Sequence, residues 1–178
     1  SKGRSGQLMI DRTGGFGVVR FYLRKGFEQA IYCEQQPDLA QIATHNLEIL
    51  APGKFQIEIG DGVEFLSKSA YHFELIYADP ARRGDSNQKL YKLEDCQPNV
   101  VAAWELMKSK SDSILLKLSP MLDISQALEE LPEIQKVKII SVKNEVKELL
   151  LSWEKKNTFD SMEIEAVELG KAIHRFSY

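Results

Sequence analysis

Thiols are scarce in this sequence. Cys33 and Cys96 are its only cysteines, far apart and in no Cys-x-x-Cys pair, which excludes a disulfide framework. The three histidines, His45, His72 and His174, are scattered without ligand spacing, so no metal site is expected. No run approaches the ~20 apolar residues that a membrane helix needs. The start, Ser1-Lys2-Gly3-Arg4-Ser5-Gly6, leads into Gln7-Leu8-Met9-Ile10-Asp11 rather than into a signal peptide's apolar region. With 11 Gly, 6 Pro and no low-complexity stretch in 178 residues, collagen-like and wholly disordered chains are excluded too. Basic excess is also missing: 23 Lys and Arg against 26 Asp and Glu give a net charge of -3, which argues against nucleic-acid binding through bulk electrostatics alone. What remains is a cytoplasmic enzyme or binding domain in a reduced compartment, with no membrane association.

The chain does have 43% hydrophobic residues, enough for the core of one globular domain. Its charge is split. Lys2, Arg4, Arg12, Arg20, Arg24 and Lys25 face only Asp11 in the first stretch, so the remainder is acidic. An ordinary basic face on one helix plus an unstructured start is the preferred explanation of that split, ahead of a polyanion-binding surface.

Short apolar runs alternate with helical periods. Leu8-Met9-Ile10, Ala30 to Cys33, Phe55 to Ile59, Leu75 to Ala78, Ile114 to Ser119 and Val137 to Val142 read as six strands. Leu39, Ile42, Ala43, Leu47 and Leu50 form a helical stripe between Pro37 and Pro52-Gly53. Val146, Leu149, Leu150 and Trp153 suggest another helix, with Asn144 as its N-cap. Shorter helices fit Phe16 to Lys25, Val63 to Ser69, Pro98 to Lys108 and Ile124 to Leu131. Met162 to Leu169 alternates apolar and acidic residues, as an edge or antiparallel strand with one exposed face would. The expected fold is therefore α/β: a Rossmann-like, doubly wound sheet, mainly parallel with an antiparallel last strand, in a single domain over residues 1–178.

In such a sheet, ligands sit beyond the carboxyl ends of the strands. Asp11, Glu34, Asp61 and Asp79 fall at those ends. After Asp11 comes Thr13-Gly14-Gly15-Phe16-Gly17, whose glycines let a ligand approach the backbone. Glu34 lies about 20 residues after Gly14, the spacing of a ribose-binding carboxylate. A dinucleotide fingerprint fails here, because Gly15-Phe16-Gly17-Val18-Val19-Arg20 puts arginine at the third glycine. Repeated acids suit a cationic ligand with a ribose and an exocyclic amine, and S-adenosylmethionine has those groups.

These residues resemble the class I S-adenosylmethionine-dependent methyltransferases over nearly the whole chain. The resemblance implies that Asp11, Thr13, Gly14, Gly15 and Gly17 hold the methionine part of the cofactor. It implies likewise that Glu34 binds the ribose and that Asp61-Gly62 contacts the adenine. Asp79-Pro80-Ala81-Arg82 matches the motif that faces the methyl acceptor. Leu93-Glu94-Asp95-Cys96, Leu118 to Ile124 and Ser141 to Glu145 are similar to bacterial RNA methyltransferase-like proteins that carry a THUMP-like domain after the catalytic one. That family has an apolar residue at Arg12 and an acid at Val19. It also implies more chain on either side, so the 178 residues are expected to be a catalytic excerpt, with RNA as the substrate of the full-length protein.

Methyl transfer is an in-line displacement, governed by alignment and exclusion of water. Asp79 can accept a hydrogen bond from an acceptor N–H, Pro80 stiffens its turn, and Arg82 can clamp a phosphate or stack on a base; Asp79, Pro80 and Arg82 are the expected catalytic set. Addition to a pyrimidine carbon is disfavoured because the position after the fifth strand reads Ser119, a weak nucleophile, and Cys96 reads as a packed thiol. A base nitrogen is therefore the expected acceptor. Lys117 is expected to snorkel out of its strand, Trp104 and Trp153 to lie in the core, and His45 to face solvent. A non-catalytic module of the same fold and a methyltransferase of a small molecule are the alternatives.

Overall fold

The structure is a computed structural model that describes residues 6–12, 26–82, 92–156, 162–170 and 173–177, with only the backbone of 6–7, 82 and 173–177. The helix expected over Phe16 to Lys25 lies outside the described residues. The chain divides into two compact units, Ser1–Ala78 with Glu105–Ile114, and Asp79–Trp104 with Leu115–Tyr178.

In the first unit, β1 (Gly6–Asp11), β2 (Phe27–Glu34), β3 (Phe55–Ile59) and β4 (Leu75–Ala78) pair in parallel in the order β4-β1-β2-β3. Strands covered on both faces need continuous apolar runs, and Met9, Ile10, Ile31, Tyr32, Ile76 and Tyr77 are all buried. Helix α1 (Pro37–Leu50) begins on a proline, whose missing N–H costs nothing in the first turn. It buries Ala40, Ala43 and Leu47, so the contact face is rotated from the expected stripe. Ile42 and Leu50 are exposed, because two alanines bring the helix backbone close to its neighbours and turn the larger side chains outward. Helix α2 (Gly62–Lys68) follows β3. His45 is exposed, as expected.

Helix α3 (Trp104–Lys110) and strand β7 (Ser113–Leu118) cross the boundaries between the units along the chain. Residues 98–103 are turns rather than the first half of a helix, with Asn99 Oδ1 accepting from the Ala102 amide at 3.0 Å. An asparagine accepting from the amide three residues on has the bond pattern of a helix cap, and here it leads through a turn closed by Trp104 N–H to the Val101 carbonyl at 3.2 Å into the helix proper.

The second unit holds a short antiparallel pair, β5 (Ala81–Arg82) with β6 (Cys96–Gln97), preceded by a single 3-10 turn at Leu93–Asp95. Helix α4 (Ile124–Glu130) is capped by Asp123, which accepts from the Gln126 amide at 3.1 Å. Strand β8 (Lys136–Val142) pairs antiparallel with β9 (Glu145–Glu154) and parallel with β10 (Glu163–Glu168), and β11 (Ile173–Ser177) closes antiparallel on β10.

Two expectations are corrected here. The helix expected over Val146 to Trp153 is β9. Lys143 and Asn144 both have positive φ (53° and 61°), the geometry of a two-residue hairpin turn, so Asn144 ends a strand instead of capping a helix. The acidic face of Met162 to Leu169 is not solvated throughout, because Glu165 is buried against Lys136 and Lys138 of β8. The expected α/β class with a parallel ladder and an antiparallel last strand is the fold that forms. Trp104 is core, donating its indole N–H to Glu133 at 2.9 Å, and meets half-buried Trp153 edge-on.

Candidate functional site

Three expected cofactor residues close adjacent parallel strands of the first unit. Asp11 ends β1, opposite Tyr32 of β2 and Tyr77 of β4, and is 1% exposed. Glu34 ends β2 and is 6% exposed; its Oε1 accepts from the Gln36 amide at 2.8 Å, which fixes the turn into α1. Asp61 is the N-cap of α2. Its Oδ1 accepts from the amides of Val63 at 2.6 Å and Glu64 at 3.1 Å, and Oδ2 accepts from Gln35 Nε2 at 2.8 Å. Capping satisfies donors that the first helical turn cannot pair internally. Gly62 packs so closely that a Cβ there would lie 2.9 Å from the carbonyl oxygen of Arg12. Thr13, Gly14, Gly15 and Gly17 lie outside the described residues.

Arg12, expected as one of the basic residues of the first stretch and as a departure from a family pattern, is the most unusual group in this cluster. Its side chain is 3% exposed, and Nε, Nη1 and Nη2 are enclosed without a hydrogen-bond partner. Burial lowers its pKa to about 10, against the opposing attraction of Asp61, Cys33 and Asp11. It is still a cation at neutral pH. The neighbouring Cys33 thiol is pushed up to about 12 by burial and then by Asp11, which rules out a reactive thiolate at that position. What pointed to the burial of Arg12 in the sequence was a charge directly after a strand.

In the second unit, Asp79 and buried Pro80 line a cavity of about 350 Å³ together with Lys117, Ser119, Met121 and Glu148. Lys117 Nζ sits 2.6 Å from Asp79 Oδ2. The lysine expected to snorkel into solvent is therefore tied to the acid expected to face the acceptor. Both are partly shielded, with the lysine side chain 24% exposed and the aspartate 39%. The Arg82 backbone pairs with Cys96, which is buried as expected; the Arg82 side chain lies outside what is described. Among the described residues no group of His, Cys, Asp and Glu is arranged to hold a metal ion, and no helix is long and apolar enough to cross a membrane.

The fold has close counterparts among solved structures. A provisionally assigned methyltransferase from Porphyromonas gingivalis W83 superposes with a TM-score of 0.84 and 31% identity over 98% of this chain. The chain spans 44% of that protein's length. TrmK of M. capricolum, solved with S-adenosyl-homocysteine, has a TM-score of 0.59 at 14% identity, covering 86% of this chain and 66% of its own. An rRNA methylase from Streptococcus thermophilus gives 0.60 at 10% identity, with 86% and 89% covered. No family model and no curated protein matches the chain. The chain thus carries the Rossmann-like methyltransferase fold, and its structural neighbours include RNA methyltransferases.

Proposed function

We propose that this chain is the catalytic part of an S-adenosylmethionine-dependent RNA methyltransferase that acts on a base nitrogen. The observation that carries the reading is the row of Asp11, Glu34 and Asp61 at or just beyond the ends of three adjacent parallel strands, in a fold shared with several methyltransferases. Ligands of doubly wound sheets bind at those ends. The residues suit the cofactor group by group. Glu34 offers a carboxylate to the ribose hydroxyls. Asp61 Oδ2, now bonded to exposed Gln35, offers an acceptor to the adenine amine, with Gly62 keeping the loop narrow. Asp11 attracts the cationic end, and the family resemblance gives Thr13, Gly14, Gly15 and Gly17 to the same part of the cofactor. The unpartnered guanidinium of Arg12 suits the cofactor's carboxylate, an anion worth more than a neutral acceptor to a buried charge.

When bound, the cofactor supplies an electrophilic methyl group on a sulfonium. The chain's own part is to orient the acceptor and manage its proton. Asp79 accepts from the acceptor N–H, Pro80 holds the turn, and Arg82 engages the phosphate or base. RNA as the partner, the THUMP-like affiliation and a cytoplasmic location belong to this reading of the whole protein.

Calorimetric titration with S-adenosylmethionine tests it. Binding is expected, weakened at least tenfold by Glu34→Ala, while Asp79→Ala keeps affinity within a few-fold and loses methylation of bulk RNA. Absence of binding, or full activity in Asp79→Ala, would overturn it.

A further inference from the structure

The ion pair in the second unit says which kind of nitrogen is methylated. Lys117 Nζ and Asp79 Oδ2 are 2.6 Å apart in the wall of the cavity of about 350 Å³. Pro80, Leu118, Pro120 and Met121 supply apolar surface to the same cavity, which suits the faces of a flat heterocycle. Ser119, Lys147 and Glu148 add further polar groups to the lining, with Lys147 paired to Glu145 at 2.7 Å; Lys117 and Asp79 set one donor directly beside one acceptor.

That pair matches two kinds of base edge. One is a lactam, a ring N–H next to a carbonyl, as in uracil and guanine; the other is an amidine, an amine next to a bare ring nitrogen, as in adenine and cytosine. Charge development separates them. Methylating a neutral exocyclic amine builds positive charge at nitrogen, which a neighbouring ammonium opposes. Methylating a lactam nitrogen first requires loss of its proton, and the resulting negative charge spreads onto the carbonyl oxygen, where an ammonium stabilises it.

We infer that Lys117 and Asp79 together take a lactam edge, with Lys117 as a catalytic residue that holds the acceptor as its anion; this rests on the methyltransferase reading above. The N–H bond breaks heterolytically, the proton passes to Asp79, and the electron pair stays on the ring nitrogen as the nucleophile. The pair starts as Asp–/Lys+ and becomes AspH/Lys+ beside the lactam anion, so the total charge is unchanged.

The test follows ionisation of the bound base rather than turnover. Single-stranded oligonucleotides carrying one 4-thiouridine or one 6-thioguanosine keep the ring N–H and shift their near-ultraviolet absorbance when it ionises. Titrated with pH on the 178-residue chain, at least one of them is expected to show about a tenfold larger ionised fraction at a given pH than when free, one pKa unit. Lys117→Met should return the midpoint to the free value, and Lys117→Arg should keep most of the shift, with melting temperature as the control for folding. Failure of both oligonucleotides to bind, an unshifted midpoint in both, or a shift that survives in Lys117→Met would overturn the inference. Calorimetry with S-adenosylmethionine on the same samples separates the two failures: cofactor binding without a lactam shift removes only the role of Lys117, whereas no cofactor binding removes the methyltransferase reading itself.

Discussion

The first unit encloses Arg12 among acids with no hydrogen bond to its guanidinium, whereas the second unit ties Lys117 directly to Asp79 at a cavity wall. Both cations follow or interrupt an apolar strand, and both would be costly if desolvated alone. The lysine escapes most of that cost through a short ion pair and partial hydration. The arginine does not: desolvation outweighs the pull of Asp61, Cys33 and Asp11, as its lowered pKa records. A buried cation with satisfied geometry is explained by the fold. One without it stores free energy that an anionic ligand could recover.

The largest expected effect comes from wedging the tight side of this comparison apart. Gly62→Ala would place a methyl 2.9 Å from the Arg12 carbonyl oxygen and 3.0 Å from its Cα, both backbone atoms that cannot step aside. A loss of about 1–3 kcal/mol in folding stability is expected, read by urea denaturation. Next come the cations themselves, with opposite signs. Desolvation of the Arg12 guanidinium outweighs the attraction of its neighbours and no hydrogen bond offsets it, so Arg12→Met should gain about 1 kcal/mol while weakening S-adenosylmethionine several-fold. Lys117→Met should cost under about 1 kcal/mol, since Asp79 is partly hydrated. The same sign for both substitutions would break the contrast. Arg12 also has a pH signature. Its folded pKa of about 10 lies below its ordinary value, so above about 10 the unfolded chain binds the extra proton, and stability from this group rises with pH there.

The positions of the acids along the chain were legible because each follows an apolar run: Asp11 closes β1, Glu34 closes β2, and Asp61 comes just after β3 as the cap of α2. The hairpin was not. Val146, Leu149, Leu150 and Trp153 satisfy a helical period over so few turns that a strand fits them too, and the deciding feature is the left-handed pair Lys143-Asn144, a conformation that a β-hairpin turn favours. The Lys117–Asp79 pair was out of reach for another reason. Its members are distant in sequence, and snorkelling describes a lone lysine, not one whose partner is supplied by another loop. Alanine spacing could have revealed the true face of α1, where Ala40 and Ala43 rather than Ile42 meet the core.

A similarly modest effect probes a charge cluster that is complete. Glu165 of β10 is 4% exposed at its side chain, with Lys138 Nζ at 2.9 Å and Lys136 Nζ at 3.2 Å, and Lys136 also meets Glu163 at 3.0 Å. Burial alone would raise the Glu165 pKa, but hydrogen bonds from Lys138 and Lys136 outweigh it and hold the carboxyl below its ordinary 4.5. For a depressed carboxylate, the stabilisation is fully present above the unfolded value and is lost as pH falls through the lower folded one. For Lys136, burial is likewise outweighed, by the hydrogen bonds it donates to Glu163 and Glu165, and its pKa rises above 10.5; that contribution is present below 10.5 and fades as pH climbs through the raised value. Glu165→Gln should therefore cost about 1 kcal/mol at pH 7, a modest figure because the lysines are 31% and 37% exposed and partly screened. Denaturation midpoints of wild type and Glu165→Gln should converge as pH falls below about 4.5. An undiminished gap in acid would mean that shape rather than charge holds β10 to β8. The paired lysines would then no longer serve as the satisfied counterpart to Arg12.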